Sequence, residues 1–232
     1  NGDKVLAAIL FEMTMDRDIE GQPTPSYLWD VKRVVPLVKV DLGLADEVDG
    51  AQVMKPMPHL DDLCKRAASK GVFGTKMRSV INSANPVGIQ AVVDQQFDVA
   101  LQILGHGLVP IIEPEVNIKS ADKAQSEAIL RDALLAGLDR VPDGQQVMFK
   151  LSLPSANDFY KVLIDHPKVL RVVALSGGYS RDNACDMLAE NHGMIASFSR
   201  ALSEGLTAQQ SDADFTATLQ AAIDEIYAAS IT

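Results

Sequence analysis

The chain is 232 residues long and 47% hydrophobic, enough for one sizeable core and on the small side for an α/β barrel. Its formal net charge is -10 and its pI about 4.8, and no Lys/Arg run offers a surface for nucleic acid or an anionic membrane. Two lone and distant cysteines, Cys64 and Cys185, predict reduced thiols in a cytoplasmic protein; no apolar run nears the ~20 residues of a membrane span, and no signal peptide is visible.

In chain order, an apolar run from Val5 predicts a first strand reaching Thr14, followed by a polar loop over 15–30. A second strand is expected over 34–41, then a long irregular excursion over 43–58 and a helix over 60–70. A strand over 72–78 leads to a strong helix over 86–105, whose apolar stripe is Ile89, Val92, Val93, Phe97, Ala100, Leu101 and Leu104. Further strands are predicted over 108–116, 146–153, 169–175 and 194–198. Between and after them come helices over 120–138, 155–165, 181–190 and 212–229. Seven continuous apolar strands alternating with helices predict a parallel sheet buried on both faces in one domain, 1–232. Two architectures satisfy this pattern: an open doubly wound sheet, or an eight-stranded barrel with seven strands present. The turn Thr14-Met-Asp-Arg-Asp18 is a poor match to a dinucleotide-binding glycine turn. The chain opens on Asn1 and enters a strand almost at once, which predicts residues missing in front.

Strand parity sorts the charged residues. Glu12 with Thr14, Lys39 with Asp41, Lys76 with Arg78, Glu113 with Glu115, and Lys150 with Ser152 each share a face at the C-terminal end of a strand. Those ends gather on one side of a parallel sheet, where barrel enzymes build their sites. Lys39, Lys76, Glu113 and Lys150 recur at an interval of 37 residues, as comparable βα units would place them. A lysine inside a buried strand either snorkels from an edge or is held partly uncharged, so that its amine can attack a carbonyl. Lys150, with Lys76 nearby, is the expected amine, and Glu113 the carboxylate that moves protons. Ser176-Gly177-Gly178 between a strand and a helix, with Ser199 and Arg200 after the last strand, predicts a phosphate cradle.

Other chemistries find no footing. His59, His106, His166 and His192 lack metal-ligand spacing, and Asp16, Asp18 and Glu20 lack the closing glutamate of a calcium loop, so no metal is expected. No GxSxG elbow or P-loop occurs.

The motifs Leu10-Phe-Glu-Met-Thr14, Leu37-Val-Lys-Val-Asp41, Gly74-Thr-Lys-Met-Arg78, Val109-Pro-Ile-Ile-Glu-Pro-Glu115, Met148-Phe-Lys150, Leu175-Ser-Gly-Gly178 and Ser197-Phe-Ser-Arg200 together resemble class I fructose-bisphosphate aldolase, in its shorter bacterial form. The resemblance covers the whole chain. It implies a (β/α)8 TIM barrel and a glycolytic Schiff-base lyase, working without metal or other cofactor on a phosphorylated sugar. It implies Lys150 as the imine-forming lysine, Glu113 as the proton-transferring glutamate, Glu115, Lys76 and Lys39 as supporting charges, and Lys39 and Asp41 as substrate-binding residues. Arg78 falls at the far-phosphate end, and Ser176, Gly177, Gly178, Ser199 and Arg200 in the near-phosphate cradle. Two departures stand out. The family's first strand and its aspartate have no counterpart, which predicts a natural protein longer by a βα unit, since a barrel short of a strand has two unpaired edges. Leu42 stands where the family often carries a lysine. The alternatives are another Schiff-base phosphosugar aldolase or transaldolase, or a non-catalytic sugar-phosphate-binding barrel. No nucleic-acid or membrane partner is expected, and a homo-oligomer is left open.

Overall fold

Apolar strands separated by helices solve their burial problem when the helices cover the sheet from outside. The computed structural model describes residues 3–232. Seven parallel strands follow one another in chain order: β1 (Ala7–Leu10), β2 (Val35–Lys39), β3 (Gly74–Ile81), β4 (Val109–Val116), β5 (Val147–Ser152), β6 (Val169–Leu175) and β7 (Ile195–Ala196). This is the barrel alternative with seven strands of eight; among the described residues β1 and β7 are its two edges. The register Leu37↔Gly74, Lys39↔Lys76, Arg78↔Glu113 and Lys150↔Val173 keeps the charged residues of neighbouring strands at similar heights.

The helices are α1 (Leu60–Ser69), α2 (Pro86–Leu104), α3 (Lys123–Gly137), α4 (Lys161–Ile164), α5 (Arg181–Ala189) and α6 (Asp212–Ser230). The longest early one, α2, starts where the Asn85 side chain accepts the Val87 N–H at 2.9 Å and Pro86 fills the first turn. Its buried face of Ile89, Val92, Val93, Phe97 and Ala100 packs into one continuous core with Met77, Ile112, Phe149 and Leu151. The excursion after β2 folds back so that Ala51–Gln52 pairs antiparallel with Val80–Ile81 at the end of β3. Gly88 permits this: a Cβ there would lie 2.3 Å from the Asp49 carbonyl oxygen.

Several elements depart from the expectations. β1 stops at Leu10, and Glu12–Met15 is a helical turn, so Glu12 and Thr14 do not share a strand face. Glu12 instead pairs with Arg66 of α1, outside the barrel. The expected loop over 15–30 holds a short hairpin (Asp18–Ile19 with Gln22–Pro23), a turn at Thr24–Ser26 and the start of a π-helix, Tyr27–Lys32. The helix expected over 155–165 contracts to the single turn of α4, because Asp158 adopts positive φ and interrupts the run. The last strand shrinks to two residues, which leaves Ser197–Arg200 in the loop beyond it.

Candidate active site

Alternation along the strands turns Lys39, Lys76, Arg78, Glu113, Glu115 and Lys150 to the same side of the sheet. At its centre lies Glu113. One carboxylate oxygen, Oε1, is 3.1 Å from Lys150 Nζ and the other, Oε2, is 2.7 Å from Lys76 Nζ. The Lys76 contact is an ion pair outside hydrogen-bond geometry, and Oε2 is left without a hydrogen-bond partner. Glu113 is 4% exposed at the side chain and Lys150 12%, so the pair is sheltered while the lysine keeps a small contact with solvent. One carboxylate thus serves two amines.

Around this core the other charges pair in turn. Lys39 Nζ donates to Asp41 Oδ1 at 2.7 Å and to the Asp41 carbonyl at 2.6 Å. The second Asp41 oxygen lies 3.7 Å from Lys76, so Asp41 links the two lysines from the side opposite Glu113. Arg78 Nε donates to Glu115 Oε2 at 2.5 Å. Burial pushes the Arg78 guanidinium toward losing its proton. The Glu115 hydrogen bond and the charges of Glu115, Glu113 and Asp41 outweigh that, and its pKa ends above the ordinary arginine value. Four cations and three carboxylates share this face, an excess of one positive charge in a chain that is acidic throughout. A cleft of about 520 Å³ opens beside Lys39 and Asp41, walled by Phe11, Glu12, Met13 and Leu42. A second, of about 380 Å³, lies at Leu206–Phe215 and carries no convergent cations.

At the rim beyond β6, Ser176 is buried and Gly177 and Gly178 take φ of +60° and +112°. The Tyr179 N–H closes the turn on the Ser176 carbonyl at 2.9 Å, while the Gly177 and Gly178 amides make no hydrogen bond among the described residues. A side chain at Gly177 would also strike Ile118, its Cβ 2.7 Å from Cγ2. The turn leads into α5, with Ser180 as its N-cap. The Ser197 N–H bonds the Ala174 carbonyl at 2.8 Å, which holds the start of the Ser197–Arg200 loop beside the end of β6. Ser199 and Arg200 are exposed, and the Arg200 guanidinium has no partner among the described residues. The structure therefore joins Lys150, Glu113, Lys76, Lys39 and Asp41 through direct contacts and sets Arg78 with Glu115 on the same face. The Ser176–Gly178 and Ser199–Arg200 group sits on two neighbouring loops.

Residues outside the expected set also bear on the site. Behind the end of β5, Lys123 and Glu127 of α3 form a buried ion pair. Lys123 Nζ donates to the Leu153 carbonyl at 2.8 Å, and Glu127 Oε2 accepts the Ser155 N–H at 3.0 Å. Gln96 of α2 is fully buried and accepts the Glu113 N–H. The legible signals were an i, i+4 Lys/Glu pair and a polar residue on an apolar helical stripe. Among the described residues no group of three or more His, Cys, Asp or Glu is arranged to hold a metal ion.

Amines and carboxylates converging at the C-terminal rim of a parallel sheet wrapped by helices define an α/β-barrel enzyme. No protein-family model matches the chain. A Synechocystis sp. protein named fructose-bisphosphate aldolase class 1 is 60% identical over 231 residues, all of this chain and 77% of the relative. A Porphyromonas gingivalis protein of the same name is 55% identical over 228 residues, 98% of this chain and 77% of that relative. The solved structure of Plasmodium falciparum fructose-bisphosphate aldolase, in complex with TRAP and a small-molecule inhibitor, superposes with a TM-score of 0.77 over 98% of this chain and 78% of that one, at 22% identity. A Corynebacterium glutamicum structure matches with a TM-score of 0.54 at 12% identity, over 98% of this chain and 86% of that chain. The chain belongs to the class 1 fructose-bisphosphate aldolase family.

Proposed function

We propose that this protein cleaves fructose 1,6-bisphosphate reversibly to dihydroxyacetone phosphate and glyceraldehyde 3-phosphate, through an imine on Lys150. The observation that carries the residue assignment is the 3.1 Å approach of the Lys150 amine to Glu113, whose other oxygen is engaged by Lys76. The neutral amine adds to the ketose C2 carbonyl to give a carbinolamine. Glu113 donates the proton on which water departs, which leaves an iminium. As the C3–C4 bond breaks, its electron pair moves into the iminium and forms an enamine, and the proton of the C4 hydroxyl leaves to a base. Protonation of the enamine at C3 and hydrolysis then release dihydroxyacetone phosphate and regenerate the amine. Lys76 supports the Glu113 carboxylate, Lys39 and Asp41 brace Lys76, and Glu115 holds Arg78.

Two anionic ends of the substrate need two cationic seats. Arg78 is the seat for the far phosphate. The Ser176–Gly178 turn, with Ser199 and Arg200, is the seat for the near one, since its free amides and the α5 N-terminus favour an anion. The chemistry needs no metal, and residues 1–232 act as one α/β-barrel domain. Among the described residues no helix is long and apolar enough to cross a membrane; a glycolytic role supports a cytoplasmic location.

Reduction with borohydride in the presence of dihydroxyacetone phosphate tests the reading. Peptide mass spectrometry should find one reduced adduct, on Lys150, and Lys150→Met should abolish both adduct and turnover. An adduct on another lysine would overturn the site. Binding of fructose 1,6-bisphosphate with neither adduct nor cleavage would favour a non-catalytic sugar-phosphate binder.

A further inference from the structure

β4 carries two prolines, Pro110 ahead of Glu113 and Pro114 between Glu113 and Glu115. In a parallel ladder, alternate residues aim their amides at opposite neighbours. The Val109 and Asn117 amides donate to Phe73 and Ile81 on the β3 side, at 3.1 and 2.8 Å. The odd residues of β4 therefore face β3, and the even ones face β5. Two of those even residues are prolines with no N–H to give. The pairings show the result: β4 matches β3 over eight residues, Val109 to Val116, but matches β5 only at Ile111↔Met148 and Ile112↔Phe149. Past Ile112 the backbone ladder on the β5 side lapses, at the height where Glu113 must meet Lys150.

Two buried side chains fix this segment, Gln96 on the β3 side and Ser152 across the gap itself. Gln96 reaches in from α2: its Oε1 accepts the Glu113 N–H at 3.0 Å, and its Nε2 donates to Ser79 Oγ of β3 at 2.9 Å. Ser152, two residues beyond Lys150, donates its hydroxyl to the Val116 carbonyl at 2.7 Å. Gln96, Ser79 and Ser152 are all buried at 1% exposure or less. A buried amide is tolerated only when both ends are bonded, and here both ends are spent on the strands that carry the site. One clamp grips the carboxylate segment at residue 113 and the other at 116.

We infer that Gln96 and Ser152 are positioning residues, which hold β4 against β3 and β5 so that the Glu113 carboxylate stays between Lys76 and Lys150. The inference rests on the proposed roles of Lys150 and Glu113. The separation of β4 from β5 at this height leaves room for Glu113 to face Lys150; Ser152 stops that separation from growing, while Gln96 fixes the Glu113 backbone against β3. Both side chains are buried with their polar atoms committed to the strands, so their loss should show in turnover and not in binding.

The test compares Gln96→Leu, Ser152→Ala and Ser152→Thr with the parent protein, and with Glu113→Gln in the same cleavage assay. Gln96→Leu and Ser152→Ala should each lower kcat by roughly 10- to 100-fold, the scale of a sub-ångström to ångström misplacement, with KM within about twofold. Both should move the acid limb of the kcat–pH profile. Ser152→Thr keeps the hydroxyl and should restore kcat to within about threefold of the parent. Should Gln96→Leu fail to fold, the Ser152 pair still decides the matter at the rim. A lowered melting temperature with unchanged kcat and pH profile would overturn the inference and leave both residues merely structural. Full activity in Glu113→Gln would locate the error in the site assignment instead.

Discussion

Glu113→Gln removes one charge and almost no volume, which makes it the sharpest perturbation of the site. The carboxylate lies 2.7 Å from one amine and 3.1 Å from another. At an effective dielectric of ~20 each contact has a Coulomb ceiling of about 5 to 6 kcal/mol; removing one partner of a buried pair typically costs about 3–5 kcal/mol. The stability loss should fall below that range. Lys76 retains Asp41 at 3.7 Å, and the Lys150 side chain keeps 12% exposure, so water can partly solvate it. The catalytic loss should be larger: a positioned proton-transfer group contributes about 10²- to 10⁴-fold, or roughly 3–5 kcal/mol of barrier. The expected variant is folded, binds fructose 1,6-bisphosphate with KM within a few-fold, and has kcat reduced by about 10²–10⁴. A coupled assay of triose phosphate release measures kcat, and borohydride quenching at short times measures imine formation, which should slow in parallel. A kcat within about fivefold of the parent, in a variant with native melting behaviour, would refute Glu113 as the proton carrier.

Three further outcomes follow from the same structure. Arg78→Leu should raise KM for the bisphosphate by about 10- to 100-fold, because a charge-assisted contact to phosphate contributes about 1.5–3 kcal/mol; an unchanged KM would remove Arg78 from the far-phosphate seat. Burial pushes the Cys64 and Cys185 thiols up to about 11, with Asp61 adding to the effect at Cys64 and Glu225 at Cys185. Thiol titration at pH 8 should find both roughly 100-fold slower than an exposed cysteine, and both reactive after unfolding. The sign is that of a raised acid: this stability is fully present below the unfolded value near 9 and is lost as pH rises through 11, so melting should worsen over that window. Lys123→Met strands the buried Glu127 carboxylate and should cost about 3–5 kcal/mol in denaturant unfolding, most of it recovered when Glu127→Leu is added; a cost below about 1 kcal/mol would mean the pair is solvated.

The sheet was legible because its strands are continuous apolar runs, the mark of burial on both faces, and because the charged residues at their C-terminal ends obey strand parity. That parity brought Lys39, Asp41, Lys76, Glu113 and Lys150 together on paper, as they lie in space. It misled at the first strand. Leu10-Phe-Glu-Met-Thr14 is apolar enough to pass for either strand or helix. In the fold Phe11 and Met13 are 64% and 61% exposed, and the run turns helical as it leaves the sheet. The antiparallel return of Ala51–Gln52 onto β3 was hidden for a different reason, since it depends on a contact between Gly88 and Asp49 that no local pattern encodes. Gln96 escaped notice because periodicity weighs only apolar residues. Its place on the Val92–Phe97–Ala100 face is visible only when the polar intruder in that stripe is asked what it bonds.

The chain's charge of -10 sits oddly with the two proposed phosphate seats, and the distances resolve it. At physiological ionic strength a charge is screened beyond about 8 Å, so acidic residues on the outer helices count for little at the rim. What an incoming bisphosphate meets is the local set, in which Lys39, Lys76, Lys150 and Arg78 outnumber Asp41, Glu113 and Glu115 by one. Each of those carboxylates is committed to a cation within 3.1 Å, and the excess charge is left for the ligand. In the proposed mechanism Lys150 gives up its proton to attack the carbonyl, and that excess is briefly spent. When the iminium forms, a positive charge returns to the same nitrogen, opposite Glu113. On that mechanism the carboxylate, paired to the amine in the resting state, would also face the electron sink during bond cleavage, so one preorganised contact would serve both.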